Sequence, residues 1–130
     1  ARLERGVTVS SSPEWRVTVY ETETGEKPVQ AFIDSLKGRD LSDAFALVRM
    51  LREQGNALRR PHSGALDAGL FELRGKQVRI FYIFLPDRTA MLLDGEIKKR
   101  NDIPPATLKR MRGLQKDAQR RFVQRRRPRR

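Results

Sequence analysis

A chain of 130 residues is about one domain's worth, long enough to bury a single modest core without staples. The absence of cysteine excludes disulfides, thiolate metal sites and cysteine nucleophiles. With 28 Lys and Arg against 16 Asp and Glu the formal net charge is +12, which gathers RNA, DNA or an acidic protein around the molecule and leaves the chemistry open.

Residues 1–14 carry no apolar run of signal-peptide type, and no stretch approaches the roughly 18 apolar residues of a membrane span. A soluble, cytoplasmic protein is expected, with no membrane partner. Residues 1–14 read as a flexible segment and residues 15–124 as the domain. Residues 125–130, where Pro128 interrupts a run of arginines, read as a disordered arginine-rich tail, because like charges this dense repel one another.

The first element is Trp15 to Tyr20, where Trp15, Val17 and Val19 alternate with Arg16, Thr18 and Tyr20 as in a strand with one buried face. That pattern predicts a largely buried Trp15. Pro28 suits a first helical position, and Val29, Phe32, Ile33 and Leu36 form a helical stripe that Gly38 closes. A second helix, capped by Ser42 and ended by Gly55, carries Ala44, Leu47, Val48 and Leu51. The short connection predicts an antiparallel helical hairpin.

Arg59 to Gly69 has turn residues and no period, and reads as a loop. Three strands then follow as a meander: Leu70 to Arg74, Val78 to Leu85 and Ala90 to Leu93. The middle one is apolar on both faces except at Arg79, so it is expected to be central, covered by helices on one side and partly on the other. After Pro104 and Pro105 comes a basic amphipathic helix, with Leu108, Met111, Leu114, Ala118 and Phe122 on its apolar stripe. The stripe is expected to pack on the domain or on a partner.

There is one histidine, no phosphate-binding glycine loop and no zinc-ligand spacing, so neither a metal nor a cofactor is expected. What remains is cationic chemistry. In a meander Arg74, Arg79, Lys98, Lys99 and Arg100 gather on one side of the sheet, where guanidinium and ammonium groups suit the charge that builds on a phosphodiester under attack. The bland alternative is a solvated, ion-paired sheet surface. Arg79 leans toward function, since a charge in a buried strand is costly. His62 is a candidate general acid or base and equally an ordinary loop histidine. Tyr82 is a candidate proton donor, although its strand places it in the core.

Taken in order, Trp15 to Tyr20, Gly25 with Pro28-Val29 and Phe32, Leu66 to Arg74, Arg79 to Tyr82, Leu92-Leu93 with Gly95, Lys98-Lys99 and Pro104 resemble the phage-derived, HigB-like toxins of type II toxin–antitoxin modules, within the RelE/ParE superfamily. The resemblance covers about residues 15–114. It implies an α+β fold of β-α-α-β-β-β-α order, a small twisted antiparallel sheet on a helical hairpin with a C-terminal basic helix. It further implies an endoribonuclease that cuts mRNA on the ribosome without a metal, and a cognate helix-turn-helix, HigA-like antitoxin. Arg79, Lys98 and Lys99 match the family's catalytic basic positions, with His62 added from the residue reading. Arg74, Arg100, Lys109 and Arg112 are the expected RNA-binding residues.

The chain departs from that pattern at Glu72, where relatives of the RelE kind carry a catalytic lysine. It departs again at Asp94, Glu96 and Asp102-Ile103, where the family often has histidine, an aromatic residue and Lys-Thr. Each change adds an anion or removes a cation or stacking group near the expected RNA path. Two rival readings therefore stay open, a ParE-like gyrase inhibitor and a non-catalytic nucleic-acid-binding or host-takeover protein.

Overall fold

The computed structural model describes residues 14–126. Strand β1 (Arg16–Val19) is followed by α1 (Pro28–Asp34), α2 (Gly38–Gln54) and a 3₁₀ turn at Gly55–Ala57. Then come β2 (Ser63–Asp67), β3 (Leu70–Arg74), β4 (Val78–Leu85), β5 (Thr89–Ile97) and α3 (Pro105–Arg126). The α+β class and the expected order hold, with one strand more. α3 runs two residues into the stretch read as a tail; the rest of that stretch, and residues 1–13, lie outside the described residues.

Strands β2 to β5 form an antiparallel meander, and β1 pairs with β5 in parallel, giving the order β1-β5-β4-β3-β2. The sheet is thus mixed rather than wholly antiparallel, because alternation fixes a strand's faces and not its direction beside a neighbour. The expected loop at Arg59 to Gly69 contains β2. This is an edge strand, bulged between Ala65 and Asp67, so main-chain pairing to β3 makes it a strand while its side chains show no clean period. Gly38, expected to end the first helix, heads the second. Its φ of +57° reverses the chain in one residue, and Ser42 lies inside α2 rather than capping it.

Two apolar layers sandwich the sheet. On one side Val29, Ala44, Leu47 and Leu51 of the helical hairpin meet Leu73, Val78, Ile80, Tyr82 and Leu92. On the other, Met111 and Ala118 of α3 meet Tyr20, Leu70, Phe81, Ile83 and Leu93. β4 is accordingly buried on both faces. Each fully buried side chain of this size contributes about 1.5–3 kcal/mol. Tyr20, placed by alternation on the outer face of β1, is buried because α3 covers that face.

Between β4 and β5 the register slips: Phe81 faces Asp94 and Tyr82 faces Leu92, leaving Leu93 as the extra residue of a bulge. A one-residue slip swaps the faces of every residue beyond it. Asp94 and Glu96 consequently point to the α3 side, together with Phe81 and Arg79, while Gly95 turns toward the hairpin. There the Phe32 ring lies so close that a Cβ on Gly95 would sit 2.4 Å from it.

Trp15 is half-buried rather than enclosed, since it stands at the sheet margin before β1 begins. Its indole lies against Gly55, where a Cβ would come within 2.0 Å of Nε1, and tilts against Phe84 at 5.2 Å between centroids. The Arg88 guanidinium covers it at 5.1 Å.

Helix α3 is fastened at three places. Thr107 and Arg110 reach Glu96 and Asp94 of β5. Arg112 and Gln115 donate to the carbonyls of Asp67 and Ala68 in the β2–β3 turn, both at 2.8 Å. Near its end, Asp117 accepts a 2.6 Å hydrogen bond from the Tyr20 hydroxyl and pairs with Arg120 and Arg121, the latter guanidinium also lying over the Tyr20 ring. That hydrogen bond, backed by the arginines, holds the Asp117 carboxyl below its ordinary 3.8, while burial and the bond to Asp117 hold the Tyr20 phenol above 10.0. A depressed carboxyl stabilises the fold above its unfolded pKa and loses this as pH falls through the folded value. A raised phenol stabilises below its unfolded pKa and loses this as pH rises through the folded value. The fastening is therefore intact between mildly acid and mildly alkaline pH.

Two outcomes follow. Gly55→Ala combines a left-handed φ with a collision against Trp15, and should cost about 1–3 kcal/mol in urea unfolding followed by Trp15 fluorescence. In Tyr20→Phe, NMR titration should find the Asp117 carboxyl moved up toward its ordinary value; an unmoved carboxyl would show that the phenol does not hold it.

Candidate functional site

The charges expected to form one cluster are divided between two clefts. The strand end explains this, for successive residues leaving β5 project in diverging directions. Lys98 turns toward the β3–β4 turn, donating its main-chain N–H to Gln77 O at 2.7 Å and its ammonium to Gly75 O at 2.8 Å. Lys99 and Arg100 remain on the side of Arg79.

The first cleft, of about 520 Å³, is lined by Arg60, His62, Arg74, Lys76, Lys98 and Asp43. Its frame is main-chain: Arg74 N–H donates to His62 O at 2.8 Å, extending the β2–β3 ladder, and Gly75 N–H donates to Val78 O at 2.9 Å. Asp43, from α2, accepts the Lys76 N–H at 2.9 Å and so fastens the turn to the hairpin. His62 is exposed and Arg74 half-buried. The cleft thus presents three strong cations from the sheet and its turn, an arginine from the preceding segment and an imidazole, against one carboxylate already engaged with the turn. Such a surface can hold the non-bridging oxygens of a phosphodiester.

The second cleft, of about 450 Å³, is lined by Arg79, Glu96, Lys99, Arg100 and Asp102. Arg79 itself is only 1% exposed. Its Nη1 donates to Glu96 Oε2 at 2.6 Å, and its Nη2 donates to the carbonyls of Asn101 at 2.8 Å and Arg100 at 3.3 Å. Nε stands 2.9 Å from Glu72 Oε1, close enough for an ion pair, although the N–H is not aimed at the oxygen and makes no hydrogen bond. Glu72 also lies 3.9 Å from Arg74 Nε. The guanidinium is thus committed to holding two strands and the loop after β5, and it positions Lys99 and Arg100 rather than facing solvent.

The acidic departures belong to these internal ties. Glu72 and Glu96 neutralise Arg79, and Asp94 pairs with Arg110 while accepting the Gly95 N–H at 2.7 Å. Arg112, expected to bind RNA, is engaged with Asp67 at the far end of the β2–β3 hairpin from His62. Lys109 is exposed on α3. Tyr82 is a core residue, as its strand implied: its hydroxyl shares a 2.5 Å hydrogen bond with Ser63, and burial pushes its pKa up. Arg60, Lys76 and Asp43 went unnoticed in the sequence. The signal for Lys76 was only that of a turn residue, and nothing in the spacing joins Asp43 to residues more than thirty positions away. Among the described residues no group of three or more His, Asp or Glu side chains is placed to hold a metal ion, and no helix is long and apolar enough to cross a membrane.

The fold is that of a small basic α+β domain with an open cationic cleft at one end of its sheet. More particularly, residues 31–116 match the family described as Phage derived protein Gp49-like (DUF891), and the chain belongs to that family. Among solved structures it is similar to a chain of the toxin–antitoxin complex RelBE2 from Mycobacterium tuberculosis. The identity is 22%, with 65% of this chain and 99% of that chain covered, at a TM-score of 0.42. No curated protein matches the chain.

Removing one partner of a buried ion pair leaves the other charge stranded. Arg79→Ala should therefore cost about 3–5 kcal/mol in urea denaturation. Combining it with Glu72→Gln and Glu96→Gln should recover part of that loss, and a strictly additive triple variant would show that the three side chains are not coupled.

Proposed function

We propose that this protein is the toxin of a type II toxin–antitoxin module, a metal-independent endoribonuclease that cuts mRNA on the ribosome and so inhibits translation. Its activity is held in check by a cognate antitoxin of the helix-turn-helix, HigA-like kind. The observation that carries the reading is the open cleft in which His62, Arg74 and Lys98 stand together with Arg60 and Lys76. Membership of the phage-derived family and the resemblance of the sequence to HigB-like toxins support it.

In this reading Arg74 and Arg60 grip the scissile phosphate. His62, whose exposed imidazole nitrogens can accept or donate a proton, takes the proton of the ribose 2′-hydroxyl. The O2′–P bond forms as the P–O5′ bond breaks, a proton passes to the departing O5′, and the product is a 2′,3′-cyclic phosphate. Lys98 stabilises the charge developing on phosphorus oxygens. Arg79 is a positioning residue that fixes the loop bearing Lys99 and Arg100, which hold the RNA on its way into the cleft.

The burial of Arg79 and the engagement of its two Nη atoms with Glu96 and two carbonyls favour a second reading, that of a nucleic-acid-binding protein without catalysis. One experiment decides between them: primer extension on an mRNA in a purified translation reaction. The unmodified protein should cut in a translation-dependent manner, and once translation is stopped, cleavage of preformed ribosome complexes should survive metal chelation. Lys98→Ala should slow cleavage by about 10² to 10³, the scale of losing one preorganised donor. His62→Ala should slow it by about 10² to 10⁴. Ribosome binding without cleavage would make the binding reading the better one, whereas full-rate cleavage by the His62→Ala/Lys98→Ala double variant would overturn the roles given to these two residues.

A further inference from the structure

The helical hairpin has a second surface that the cationic cleft does not use. Phe45 of α2 is 57% exposed, whereas Ala44, Leu47 and Leu51 of the same helix face the core. Beside it an open groove of about 410 Å³ has an apolar floor of Val17, Val19, Ile33 and Val48, and its rim carries Arg49 and Arg52. No Asp or Glu lines it. Solitary exposed apolar residues are ordinary, but one beside an apolar groove whose polar lining is Gln30, Arg49 and Arg52 presents a shape and a positive charge together.

The groove also lies along an open sheet edge. β1 is the last strand on its side, and its main chain turns alternately toward β5 and away from it. Arg16 N–H donates to Arg88 O, just before β5, and Tyr20 N–H to Leu92 O of β5, each at 2.8 Å. Val17 and Val19, out of phase with them, turn their peptide groups to the free edge. On that same edge Trp15 N–H is taken by Arg52 O of α2, and beyond this bond the edge is bordered by the groove. An apolar floor, a cationic rim and an edge that is unpaired among the described residues are what an added peptide segment uses: side chains enter the groove and main-chain groups extend the ladder.

We infer that this groove docks an acidic segment of a second protein, carrying carboxylates spaced among apolar side chains. On the proposed function that protein is the antitoxin, so the inference rests on that reading for the partner's identity. A second copy of this chain is opposed by a net charge of +12 on each molecule and by like-charged rims. The groove and the His62 cleft border the same helix α2 but share no lining residue. Partner anchoring and RNA contact therefore have separate determinants, and anchoring at the groove does not depend on the cations of the cleft.

The test is titration calorimetry of the purified full chain with the purified product of the neighbouring gene. Phe45→Ser and Arg49→Glu, both on the surface, are run beside Lys98→Ala, with binding of a single-stranded RNA oligonucleotide measured for each. Thermal melting of every variant confirms that it is folded. The groove variants should each weaken the partner by at least about 30-fold, the scale of a hot-spot residue. Phe45→Ser should keep its RNA affinity, and Lys98→Ala should keep its partner affinity while losing RNA. Tight binding that is unchanged in folded Phe45→Ser and Arg49→Glu would overturn the groove while leaving the toxin–antitoxin reading in place. No binding by the unmodified chain would overturn the antitoxin reading, and the assigned occupant with it.

Discussion

A guanidinium almost wholly withdrawn from water is the constraint around which one end of this molecule is arranged. Arg79 sits in the central strand at 1% exposure, and a charge there survives only if opposite charge and acceptors surround it. Glu72 answers from β3, Glu96 from β5, and the carbonyls of residues 100 and 101 from the following loop. The bulge at Leu93 is part of the same solution. Without its slip in register Glu96 would face the helical hairpin, and Arg79 would meet the flat Gly95 instead. One extra residue in β5 thus decides which charges meet in the interior.

The surface electrostatics follow from what the interior consumes. Glu72, Asp94, Glu96 and Asp117 are occupied by arginines across the α3 face, so these carboxylates do not oppose a polyanion approaching from solvent. Read linearly, Glu72, Asp94 and Glu96 look like acids inserted along an RNA path. In three dimensions they are counterions of the scaffold, and the cations left at the His62 cleft come from a loop, a turn and a strand end. The cleft is framed by hydrogen bonds from main-chain groups rather than by packing.

Much of the fold could be read in the sequence wherever a period met a well-covered face. The hairpin stripe of Ala44, Leu47 and Leu51, the limits of β4 and the seating of Met111 and Ala118 all follow from apolar spacing. β2 was not legible because an edge strand with a bulge is held by its neighbour's main chain and needs no alternation. The parallel union of β1 with β5 was equally silent, since it depends on where α1 and α2 carry the chain. At the site, residue types were informative and their grouping was not. Lys98 and Lys99 are adjacent in sequence yet enter different clefts, and Arg60, Lys76 and Asp43 are joined only by a turn and a helix that no local pattern relates. The bulge at Leu93, which has no composition of its own, controls the pairing of Arg79.

The parallel contact between β1 and β5 also orders events during synthesis. Val17 and Val19 find their partners only at Ala90 and Leu92, and Tyr20 meets Asp117 almost a hundred residues later. Contacts of such long sequence separation make closure of the sheet late and comparatively slow, because the intervening chain must be gathered first. A nascent chain can form its helical hairpin early, but it cannot seat its first strand before its last strand has left the ribosome. Until then the hairpin's apolar face lacks the sheet that covers it, and the cationic residues that end β3 and β5 have no fixed relation to one another. The cleft is thus not assembled until β5 has been synthesised, a delay imposed by strand order alone.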